Sequence, residues 1–142
     1  MTQIKSDINK IKENLKTQDN RITDQPMFIV EQEVKIGPFL DGYGDFYEWF
    51  NHELIEVASG HLLKRLEQRI EAGADPREPF QGWERHSMKK GWKFVTACFT
   101  EQGCKDYIAF NGHNLNKTRI YAVSSYRNTE YQTIRNWILN GA

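Results

Sequence analysis

The residues of this sequence that could do chemistry are few, and Cys98, Cys104 and His113 stand closest together. A metal site would use both thiolates and the imidazole. Structural zinc is held by four ligands, commonly as C-x2-4-C and a second pair. Five residues separate Cys98 from Cys104, and no fourth ligand follows at a matching spacing. No metal is therefore expected here, and the thiols are expected to pack as small apolar groups. Nucleophilic catalysis would need a Cys104 thiolate, favoured by a helix N-terminus or a cation, with His113 as its partner. Lys105 adjoins Cys104, but His113 reaches it only if the chain folds back. His52, His61 and His86 are scattered along the sequence and read as surface residues. No G-x-S-x-G, H-E-x-x-H or phosphate-binding loop occurs. Asp41-Gly42-Tyr43-Gly44-Asp45 has an outward likeness to a calcium loop, yet it lacks the alternating ligands and the terminal glutamate. It reads as an acidic turn. The expectation is a protein with no cofactor that is not an enzyme, and a Cys104/His113 enzyme is the weakest alternative.

Two stretches look built for contact instead. Asp41, Asp45 and Glu48 are interleaved with Tyr43, Tyr47 and Trp49, along with Phe46 and Phe50. An extended chain sends successive side chains to opposite sides, so only some of these aromatics can point inward. The remainder would form an acidic, aromatic surface of the kind that anchors protein partners. The second stretch is basic: Lys89, Lys90 and Lys93 beside Trp92, then Arg119 beside Tyr121 and Arg127 beside Tyr126. Bases with interleaved aromatics suit a single-stranded nucleic acid.

Charge supports a sided molecule without choosing between these surfaces. The chain is formally neutral, but residues 27–80 hold eleven acids and five bases, a balance of −6, whereas residues 81–142 hold nine bases and four acids, a balance of +5. The two halves either pair with each other or present opposite signs to partners.

The elements that position these residues follow from periodicity. Ile4, Ile8, Ile11 and Leu15 recur every three or four residues, which predicts a helix over 3–18. With Ile22 they trace a coiled-coil-like seam too short to be stable alone, so it must pack on its own domain or on a second copy of the chain. Pro26 closes this segment, giving an N-terminal helix in 1–25, a candidate oligomerisation element, and one α+β domain in 26–142. Within that domain the pattern predicts a strand over 27–36, ended by a turn at Gly37-Pro38. A second strand region follows from Phe46 to Val57, with a loop at Asn51-His52. Ser59 caps a helix carrying Leu62, Leu63, Leu66 and Ile70. Residues 82–90 and 92–99 read as a β-pair turning near Lys90-Gly91. Thr100 caps a helix to about Phe110 with Cys104, Tyr107 and Ile108 inward, and a strand carries Ile120, Ala122 and Ser124. Thr129 and Gln132 read as the capping box of a last helix whose apolar stripe is Tyr131, Ile134, Trp137 and Ile138. Short connections favour an antiparallel or mixed sheet of four to five strands with helices on one face.

The 142 residues suffice for one domain without a disulfide or metal staple, and aromatic residues make up 13% of them, too many for a disordered chain. Two cysteines are too few for a disulfide framework, and no apolar signal segment or membrane span is visible. The expected location is the cytoplasm, with no membrane partner.

The run Trp92-Lys93-Phe94-Val95-Thr96-Ala97-Cys98-Phe99-Thr100-Glu101-Gln102-Gly103-Cys104-Lys105-Asp106-Tyr107-Ile108 resembles a block in an uncharacterised family of small phage and prophage accessory proteins. The resemblance continues through Asn111-Gly112-His113-Asn114-Leu115, Arg119-Ile120-Tyr121 and Tyr126-Arg127-Asn128, and more loosely through 20–34. Residues 37–80 lie outside it. It implies a phage or prophage origin, acting in the cytoplasm of the bacterial host, and carries over no reaction, cofactor or catalytic residue. Small phage accessory proteins often bind host proteins, including defence systems such as CRISPR–Cas. The expected function is thus a non-enzymatic binder that inhibits or redirects a host or defence complex, an anti-CRISPR-like or host-takeover role. Nucleic acid is the alternative partner.

Overall fold

The computed structural model describes residues 2–141. Its elements, in chain order, are α1 (Thr2–Thr17), β1 (Pro26–Phe39), β2 (Phe46–Asn51), β3 (Glu56–Val57), α2 (Gly60–Glu71), β4 (Trp83–Cys98), α3 (Glu101–Asn111), β5 (Thr118–Ser124) and α4 (Thr129–Asn140). A 3-10 turn at Gly112–Asn114 follows α3. The fold is α+β, with five strands in the order β3-β2-β4-β1-β5. The β1–β5, β2–β3 and β2–β4 ladders are antiparallel. No helix among the described residues is long and apolar enough to cross a membrane. The chain divides into two compact units, one of Met1–Glu33 with Trp92–Ala142 and the other Val34–Gly91.

In the first unit, alternation on β1 and β5 builds the core. Phe28 faces Ala122 and Val30 faces Ile120 across the ladder. This face packs with Cys104 of α3, and Val95, Tyr107 and Ile108 close around it. Thr100 caps α3 as its sequence predicts, accepting from the Gly103 amide at 3.0 Å. α1 packs against α3 and α4. Its seam is used unevenly: Leu15 is buried, Ile8 and Ile11 are half-buried, Ile4 is exposed, and Ile22 lies beyond the helix in the open. The end of α1 is fastened to the start of α3. The Gln18 side chain accepts from the Glu101 amide at 3.1 Å, and Arg21 pairs with the Glu101 carboxylate. The first bond satisfies one of the amides that a helix start leaves without an internal partner.

In the second unit, Trp49 of β2 and Trp83 of β4 form the core with Ala58 and Leu66, closed by Leu62, Leu63, Ile70 and Phe80. The apolar stripe of α2 is the one its spacing predicts. Ser59 occupies the N-cap position without a side-chain bond to the helix.

Four expectations are corrected. Residues 83–98 form one strand, not a hairpin, and Gly91 is there for closeness and not for turning. A Cβ at Gly91 would lie 2.3 Å from Cδ1 of Ile36, so a side chain there would displace the tip of that residue. The strand β1 also runs through Gly37-Pro38 to Phe39. Its pairing with β5 ends at Gln32, so on that side Pro38 removes no ladder bond. The cap of α4 is Asn128, whose side chain accepts from the Tyr131 amide at 3.1 Å, and Thr129 is already helical. Asparagine is as good a cap as threonine, and the spacing alone could not separate them. Finally, α4 buries Tyr131 and Ile138 but leaves Ile134 and Trp137 exposed, Trp137 by 52%. At about 100° per residue, Trp137 points about 120° away from Tyr131, so the two cannot share one contact.

Leu15→Ala should therefore cost about 2–5 kcal/mol of stability, while Ile4→Ala should stay within about 0.5 kcal/mol. Urea denaturation of the two variants tests this, and equal effects would show that the helix is not docked as described.

Candidate functional site

The loop between β1 and β2 is short and tied down. The Tyr43 amide donates to the Leu40 carbonyl at 3.0 Å, and the Asp45 amide to the Met88 carbonyl at 2.7 Å. The Gly44 amide donates to the Ser87 hydroxyl at 2.8 Å. Gly44 sits so close to β4 that a Cβ there would come within 2.3 Å of Ser87 Oγ and 2.6 Å of the Met88 nitrogen. These bonds hold the tip against the strand and turn two large apolar residues outward: Leu40 is 77% exposed and Tyr43 69%. Beside them the Tyr47 hydroxyl donates to Asp41 at 2.8 Å, and the Arg85 guanidinium lies 3.5 Å from the centre of the Tyr47 ring. The result is an ordered tip of apolar, aromatic and acidic groups, with little left to order on binding.

The acidic-aromatic residues read from the sequence therefore divide. Asp41, Tyr43, Asp45 and Tyr47 are exposed. Glu48 is held in an ion pair with Lys35 at 2.7 Å. Trp49 belongs to the core: it is 2% exposed and its indole donates to Glu67 at 3.1 Å. Counting it as a contact residue is corrected by strand alternation, which turns Trp49 inward. Leu40, the most exposed apolar residue of the tip, was missed.

The basic residues differ in their surroundings. Lys89 lies over the Phe39 ring at 5.3 Å, and Lys90 and Lys93 are exposed. Arg119 pairs with Glu31 at 2.9 Å and stacks over Trp92 at 4.2 Å and Tyr121 at 5.5 Å. Arg127 lies over Tyr126. Arg119 stands near the start of β5, and Arg127 lies in the turn three residues past its end.

Cys104 and His113 stand in different surroundings. Cys104 is 0% exposed, packed among Phe28, Val30 and Ala122. His113 is exposed and its imidazole meets the Asn114 amide at 3.0 Å. Burial, with Cys98 adjacent, pushes the Cys104 thiol up to about 12, so it stays protonated and unreactive.

One grouping was invisible in the sequence. His52, read as a scattered surface residue, lies 3.2 Å from Glu84, and His86 lies 3.2 Å from the same carboxylate oxygen. The three side chains offer ligand atoms that all lie within 4.8 Å of one another. Both imidazoles hold the Glu84 carboxyl below its usual range, His86 most strongly.

No protein-family model, no curated protein and no solved structure matches this chain.

Burial raises both the Cys104 thiol and the Tyr131 phenol above their ordinary values, so the folded chain keeps protons that the unfolded chain gives up. Stability should therefore be full below about pH 9 and fall as pH rises toward 12. Cys104→Ala should flatten part of that decline in urea midpoints measured from pH 7 to 11. An unchanged slope would show that the buried thiol is not its source.

Proposed function

We propose that this chain is a non-enzymatic phage-encoded accessory protein that binds a host or defence complex and inhibits or redirects it. The observation that carries the reading is the tied-down tip, where Leu40 and Tyr43 stand exposed over an acidic base of Asp41 and Asp45. Exposed aromatic and aliphatic residues held by backbone bonds are what anchors of protein interfaces look like, because little conformational entropy is lost when they bind. The acids around them favour a partner with a basic surface, to which they would also steer the encounter. The resemblance of 92–128 to phage accessory proteins points the same way, and the buried Cys104 weakens the enzymatic alternative.

Nucleic acid is the second reading, favoured by one observation. Trp92 and Tyr121 share the Arg119 guanidinium, and Phe94, two residues along the same strand, is exposed. Aromatics on an open strand surface can stack bases. Against it, Arg119 is already paired with Glu31 and the chain is neutral.

Purification of the tagged chain from a bacterial host lysate should recover a stoichiometric protein, and Leu40→Asp with Tyr43→Ala should weaken its capture at least tenfold, as loss of a hot spot of about 2 kcal/mol does. Recovery that is unchanged by the double variant removes the tip from the interface. Recovery of nucleic acid, lost with Phe94→Ala and Tyr121→Ala and falling steeply with salt, would decide for the second reading.

A further inference from the structure

We infer that His52, Glu84 and His86 bind one divalent transition-metal ion, with zinc the ion their chemistry fits. Glu84 and His86 are two residues apart on β4, so alternation sends both to one face of the strand. Register sets Phe50 opposite Glu84 and Glu48 opposite His86, and the end of β2 delivers His52 to the same place. The turn that carries His52 is fixed from within: the buried Asn51 side chain accepts from the Glu53 and Leu54 amides at 3.0 and 3.1 Å. The Phe50 ring then buttresses both imidazoles, edge-on to His52 at 4.9 Å and stacked with His86 at 6.0 Å.

Spacing and donor type both suit zinc. Ligands about 2.0–2.1 Å from a tetrahedral ion stand about 3.3 Å from each other. The two histidine–glutamate separations are both 3.2 Å. All three ligand atoms fall within 4.8 Å of one another, so a small rotation of the exposed His52 side chain closes the set. Two imidazoles and one carboxylate are the donors of zinc and its neighbours in the first transition row. Calcium needs six to eight oxygen ligands and does not fit. Three protein ligands at a solvent-facing position leave a fourth coordination place for water or for a donor from another molecule. The site stands apart from the loop tip and its existence does not depend on the proposed partner.

The test is a calorimetric titration of the tag-free, chelator-treated full chain with zinc chloride. One equivalent should bind, and His52→Ala, Glu84→Gln and His86→Ala should each weaken binding more than about tenfold, whereas His61→Ala and His113→Ala should not. His52 lies on an exposed turn, so its variant keeps the fold even if substitution on β4 does not, and circular dichroism checks this. Cobalt(II) in place of zinc should give the visible absorption of a tetrahedral ion, lost in His52→Ala. Absence of zinc uptake by the unaltered chain would show an ordinary hydrogen-bonded cluster. Uptake that survives His52→Ala with His86→Ala would place the ion elsewhere. Either result overturns the assignment.

Discussion

The second unit depends on the register between β2 and β4. Trp49 stands opposite Arg85 and Asn51 opposite Trp83, so one face of this ladder receives both tryptophans and is covered by α2. The burial of two indoles is the largest apolar gain available to a unit of this size, and it chooses the register. Everything on the other face follows from that choice. Phe46, Glu48, Phe50, Glu84, His86 and Met88 must share it, whatever their own preferences. A slip of β4 by one residue would bury Glu84 and His86 and expose the Trp83 indole. The histidine cluster is thus a consequence of core packing and not a separate achievement of the sequence.

In the first unit the comparable choice is the face of β1 and β5 that carries Phe28, Val30 and Ala122. It takes Cys104 into the core and so decides the chemistry of that thiol. A helix N-terminus ordinarily favours a thiolate, and Cys104 is only four residues beyond the cap at Thr100. Desolvation opposes this and wins, because the side chain has no exposure to water while the helix effect is modest even in its first turn. Position along the helix favours the thiolate, and the direction of the side chain, into the core, decides against it.

Much of the fold was legible because periodicity is a local signal. The α3 cap, the α2 stripe and the core face of β5 follow from spacing alone. What failed was whatever depends on a distant neighbour. Gly91 reads as a turn until Ile36 is seen against it, and Pro38 reads as a stop until the end of the β5 pairing at Gln32 is known. Trp49 reads as a contact residue until Leu66 and Trp83 are brought around it. The histidine cluster is the extreme case: His52 and His86 are 34 positions apart, and only the β2–β4 register makes them neighbours. The exposed acids and Tyr43 were legible, since a Gly-rich acidic turn has few ways to be buried.

The two candidate surfaces of the second unit hang on the same short length of β4, yet they need not compete. Ser87 and Arg85, which hold the loop tip and the Tyr47 ring, alternate with Glu84 and His86, which hold the cluster. Odd and even residues of a strand point to opposite faces. The loop joins β2 at Phe46, and His52 follows its last residue, Asn51, so the strand also separates them by about 17 Å along its length. A protein gripping Leu40 and Tyr43 could therefore leave His52 open to solvent, and a metal at His52 would not alter the charge beneath Tyr43 beyond what salt already screens. What couples the two is the register alone. A substitution that weakens the packing of Trp49 on Trp83 would loosen both surfaces together, whereas one confined to either surface should leave the other intact.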